Sequence, residues 1–143
     1  MSKISVATRV ISIVVLMAIM LAAFPATTAV AKTNDQGLAV KWHELVTSYN
    51  RQSVTHNSAH HWVEVWLKQH KSASAADKAK VEKHLNTCNS ALAAAAAIVM
   101  KHDGFNAKGD VVDKAAAKKS VTKLNQAMLL HAASIRQLEA HIK

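Results

Sequence analysis

The chain of 143 residues is long enough for one domain and short for two. Lys and Arg number 18 against 9 Asp and Glu, a formal net charge of +9, and aromatics make up only 4% of the residues. With one Pro, three Gly and abundant Ala, the composition excludes a strand-rich sandwich or barrel and suits helices, because Ala loses no side-chain entropy in a helix.

Residues 1–31 differ in kind from the remainder. Lys3 and Arg9 form a basic head, Val10 to Phe24 is almost wholly apolar, and Pro25 closes the run. Ala29-Val30-Ala31 then offers the small residues of a cleavage site, so the segment reads as a secretory signal peptide cut after Ala31. The alternative is an uncleaved membrane anchor, since no charge interrupts the stretch between Arg9 and Lys32. Either way residues 32–143 form a domain exported to the periplasm, cell surface or exterior. Removal of Lys3 and Arg9 leaves that domain at +7 with a single cysteine, Cys88, which excludes an internal disulfide.

Three helical stripes follow. Leu38, Trp42, Leu45, Tyr49, Ala59, Val63 and Trp66 share one face, with Gln52 and His56 between them. Val81, Leu85, Cys88, Leu92, Ala95 and Val99 make the second stripe. Ala117, Val121, Leu124, Met128, His131, Ile135, Leu138 and Ile142 make the third. Steps of three and four keep these side chains on one face of a helix. The spacing predicts helices over 36–71, 74–102 and 113–142. Ser74 and Asp113 serve as N-caps, Val112 staples onto Ala117, and a left-handed Gly104 follows the second helix. The short first connection makes the first two helices antiparallel neighbours. The expected fold is all-α: an up-down-up antiparallel three-helix bundle after the N-terminal signal or anchor helix. The Ala-rich run 91–98 buries little area, so self-association or a protein partner is expected to add stability.

The middle of each helix is polar: Tyr49 to His61, then Asn86 to Ser90, then Asn125-Gln126 with His131. Counting residues from the first turn puts Cys88 level with about residue 58, and similar counting from the second connection brings Met128 to His131 near the same height. One reading is structural: polar groups at stripe positions select a single register, or the first helix breaks near Asn57-Ser58. The sharper reading is a metal site built from His56, His60, Cys88 and His131. That donor set suits copper or zinc, and the i,i+4 spacing of His56 and His60 places them on one face.

The connection Asp103 to Asp113 carries oxygen donors but departs from the calcium-loop order at Phe105 and Ala107. It reads as a structured link with Phe105 and Val111 folded onto the bundle end. Trp42 and Trp66 should anchor the two ends of the core, with Trp62 at its edge. Lysines at 78, 80, 83, 114, 118, 119 and 123 crowd the early turns of the second and third helices. They favour anionic membrane or envelope surfaces, whereas export and the lack of a reading motif argue against nucleic acid. No nucleophile elbow, phosphate loop or carboxylate pair appears, so no enzyme is expected.

Gly104-Phe-Asn-Ala-Lys-Gly-Asp-Val-Val-Asp-Lys-Ala-Ala-Ala117 resembles the G-F-[ND]-x-x-G connection of a group of small exported bacterial helical-bundle proteins. The resemblance implies a cell-envelope or secreted protein and brings no activity with it. The function expected from all this is that of an exported, non-enzymatic binding or structural protein, acting as an oligomer or accessory subunit in the envelope. The alternatives are a metal-binding protein and a basic module that attaches to anionic surfaces.

Overall fold

The computed structural model describes residues 33–143; the expected signal or anchor segment, with the cleavage expected after Ala31, lies outside the described residues. Three helices, α1 (Thr33–Gln69), α2 (Ala75–Lys101) and α3 (Lys114–Ile142), pack into an all-helical bundle. None of them is long and apolar enough to cross a membrane.

Helix boundaries follow local chemistry. Ser74 caps α2: its Oγ accepts from the Asp77 N–H at 3.1 Å and donates to the Asp77 carboxylate at 2.6 Å. Asp113 caps α3 by accepting from the Ala116 N–H at 3.0 Å. Such caps satisfy amides that have no partner inside the helix, each contributing about 1 kcal/mol. The left-handed residue that ends α2 is His102 (φ 39°), whose N–H bonds the Ile98 carbonyl, rather than a glycine further on. Gly104 is left-handed as well (φ 89°) and is needed for a second reason. A Cβ there would meet the Ala117 backbone nitrogen at 2.0 Å, so the connection lies directly on the first turn of α3.

The expected break of the first helix at Asn57-Ser58 does not occur; α1 runs through it. Ser53 and Ser58 donate to the carbonyls of Tyr49 and Val54, so their hydroxyls are satisfied without interrupting the backbone ladder. The expected staple from Val112 also fails, since Val112 is 69% exposed. The connection turns inward through its other apolar residues instead. Phe105 and Val111 form an isolated antiparallel bridge, and Phe105 stacks on Trp42 at 4.5 Å between ring centroids. Asn106 closes the loop between them, its Oδ1 accepting from the N–H groups of Lys108 and Asp110.

The core is divided in two. One cluster joins the early turns of α1 (Trp42, Leu45, Tyr49) to the late half of α2 (Leu92, Val99) and the early half of α3 (Leu124, Met128). The other joins Ala59, Val63 and Trp66 to Val81 and Cys88 of α2 and to Ile135 and Leu138 of α3. Between them lie the buried polar residues Ser53, His56 and His131. Helices α2 and α3 pack together most extensively, and α1 leans more on α3 than on α2.

Candidate functional site

The layer between the two clusters is built of hydrogen-bonded side chains from all three helices. Gln52 and His56 come from successive turns of α1, His131 from α3, and Asn89 from α2. His56 Nδ1 lies 3.1 Å from His131 Nε2, and His131 Nδ1 lies 2.7 Å from Gln52 Oε1. Gln52 Nε2 donates to Ser48 Oγ at 3.3 Å. With Gln52 Oε1 as its partner, a neutral His131 donates from Nδ1 and accepts at Nε2, which makes His56 Nδ1 the donor between the two rings. His60, one turn further along α1, bonds Asn89 Oδ1 from Nε2 at 2.9 Å. Its ring meets that of His56 edge-on at 4.9 Å between centroids. The bonds therefore run directionally from His56 to His131 to Gln52, with both rings neutral.

Burial sets the electrostatics. His56 is held down to a pKa of about 4, first by desolvation and then by repulsion from His60 and His131. His131 is also lowered, by desolvation. The Cys88 thiol is pushed up to about 11 by burial, so it stays protonated and packs as a small apolar group. Both histidines are almost fully buried, at 3% and 0% exposure.

Counting residues from the two connections placed His56 and His131 at similar heights, and the two rings meet. Cys88 falls in the same cluster as Ala59. The four candidate ligands do not form one centre, however. Cys88 faces the second apolar cluster with Ala59, Val63 and Leu138. His60 is engaged with Asn89, and His56 and His131 bond each other. Among the described residues no three His, Cys, Asp or Glu side chains are grouped so as to hold a metal ion.

Gln52 and Asn89 complete the layer as acceptors. Their polar surroundings were visible in sequence, but their partners depend on which way each helix is rotated. A small indentation of about 190 Å³ between α1 and α3 is lined by Gln52, Thr55, His131 and Arg136. It falls below the roughly 300–1,000 Å³ of ordinary ligand pockets, though it exceeds the ~30 Å³ that one water occupies. Chemically, the layer offers imidazole rings that exchange hydrogen bonds with one another and with amide oxygens. Cys88 lies outside it, neutral and buried among apolar groups.

Compared with protein-family models, with curated proteins and with solved structures, the chain matches none.

Proposed function

We propose that the protein is an exported, non-enzymatic helical module that acts in the cell envelope by association, as an oligomer or as an accessory subunit of a partner protein. In this reading the chain runs up, down and up through the bundle, and the membership of the two core clusters supports that course. One observation carries the proposal. Leu129 and Leu130, adjacent in the middle of α3, are 61% and 51% exposed, while the stripe residues Met128 and His131 on either side are buried. An isolated exposed apolar residue is ordinary, but two large ones side by side next to a tightly specified layer fit a surface that is covered in use.

The buried histidine layer takes the structural role of fixing which residues face outward. Sliding α1 past α3 by one turn would leave Gln52, His56 and His131 unpaired, and each unsatisfied buried polar group costs ~1–3 kcal/mol.

The test is native mass spectrometry of the full chain purified from its own envelope fraction, alongside a variant with Leu129→Gln and Leu130→Gln. An oligomer or stoichiometric partner that is lost in the double variant supports the reading. A strictly monomeric wild type with no partner recovered ends it.

A further inference from the structure

A second feature lies where the end of α2 meets the start of α3. A half-enclosed cavity of about 550 Å³ is walled by Lys101 of α2 and by Lys119 and Lys123 of α3, with Ile98 among the apolar residues of its floor. That volume is within the range of small-molecule sites. Ion pairs among the described residues are Lys41 with Glu44, Lys114 with Asp35 and Lys143 with Glu139, so none of the three wall lysines is engaged in one.

Two carboxylates border the same cavity, and the structure occupies one of them. Asp113 accepts the Ala116 N–H as the cap of α3. Asp103 is the other; its backbone carbonyl accepts from Ser120 Oγ at 2.8 Å, which ties this wall of the cavity to α3. Three cations and two acids line a concave, partly apolar space, and the helices carrying the lysines are the most extensively packed pair in the bundle. The spacing of Lys119 and Lys123, one helical turn apart, lets both ammonium groups reach one ligand from the same side. A compact multivalent anion fits this arrangement better than a flat polymer, because the cations line a recess rather than a ridge.

We infer that the α2–α3 cavity binds a phosphate-type anion, held by Lys101, Lys119 and Lys123. The phosphate group could belong to a soluble phosphorylated molecule or to a lipid headgroup, and the cavity would contact the same chemistry in either case. Charge-assisted hydrogen bonds of this kind contribute roughly a factor of ten in affinity each.

The experiment uses the full chain and two probes. Pyrophosphate is titrated calorimetrically, and sedimentation is measured with vesicles of phosphatidylglycerol in phosphatidylcholine against phosphatidylcholine alone. Three proteins are compared: wild type, the triple variant Lys101→Gln, Lys119→Gln, Lys123→Gln, and a control with Lys78→Gln, Lys80→Gln, Lys83→Gln that removes equal charge from α2. Circular dichroism confirms that each is folded, and because all six side chains are on the surface, folding should survive.

Saturable pyrophosphate binding, weakened about tenfold or more in the triple variant and less than about twofold in the control, supports the site and identifies a soluble ligand. Selective binding to anionic vesicles, with the same dependence on the triple variant and no response to pyrophosphate, supports it and identifies a headgroup. Equal weakening by both variants overturns the proposal, since attraction then follows total charge. Binding of neither probe also overturns it.

Discussion

Acidification from pH 7.5 to 4.5 acts on the buried ring of His56, whose pKa the fold holds at about 4. Buried between the two clusters, it faces His60 on its own helix, His131 from α3, and Asn89 from α2 nearby. Its pKa falls from 6.5 when unfolded to about 4 when folded, because the folded state disfavours the charged ring. The sign follows directly. Above pH 6.5 the ring is neutral in both states and contributes no pH dependence. As the pH falls below 6.5, the unfolded chain binds the proton first and is favoured, until the folded form also protonates near pH 4. At ~1.4 kcal/mol per tenfold difference in proton affinity, the loss across that window is about 3 kcal/mol. His131 is lowered too and adds in the same direction. Against a typical stability of ~5–15 kcal/mol, a loss of this size is easily measured.

The assay is urea unfolding followed by tryptophan fluorescence at pH 7.5, 6.0, 5.0 and 4.5, for wild type and His56→Gln. The wild type should lose stability steeply below pH 6.5. The variant, though less stable at pH 7.5, should show a curve flatter by about 3 kcal/mol over the same range. Carboxylates titrate at the lower end in both proteins, so the difference between them isolates His56. Parallel curves, or a His56 ring proton that titrates near pH 6.5 by NMR, would refute the reasoning.

Gly104→Ala should destabilise by about 3 kcal/mol or more in urea unfolding, because the new Cβ collides with the α3 backbone at a left-handed position. Leu124→Ala, which empties a fully buried site in the first cluster, should cost about 2–5 kcal/mol by the same measurement. Asp113→Ala should remove the α3 cap and cost about 1 kcal/mol, whereas Asp113→Ser should restore most of it. Cys88, buried and protonated, should react with a thiol reagent only at the rate of unfolding. Rapid labelling of the native chain would show the second cluster to be open.

Much of this architecture was legible because periodicity and caps act locally. Trp42 and Trp66 fall on the inward stripe of α1, and each lies in a different cluster, as their spacing predicted. Ser74 and Asp113 cap their helices because an oxygen side chain three residues before an orphan amide needs no tertiary help. The meeting of His56 with His131 also followed, since the two connections together set the heights of the helices. What sequence left undetermined was rotation. Each residue turns a helix by about 100°, so a small error in orientation decides whether Cys88 points at the histidines or at Ala59 and Leu138. Val112, expected on Ala117, is left exposed, and Phe105 and Val111 are the apolar residues of the connection that turn inward. The lysine-walled cavity was likewise hidden. Lys101 is remote in sequence from Lys119 and Lys123, and they share a space only once the α2–α3 elbow is drawn tight against Gly104.

The divided core has a consequence for how damage spreads. Two apolar clusters separated by a sheet of paired polar side chains share few side-chain contacts through which strain can pass. Enlarging or shrinking Leu124 should therefore be felt by Leu92 and Met128 but hardly by Leu138. In double-mutant cycles, pairs within a cluster should couple while pairs across the histidine layer add almost independently. Trp42 and Trp66, one in each cluster, give each half its own fluorescent reporter. The bundle can thus accumulate substitutions at one end while the other keeps its shape, so the two ends are free to diverge at separate rates.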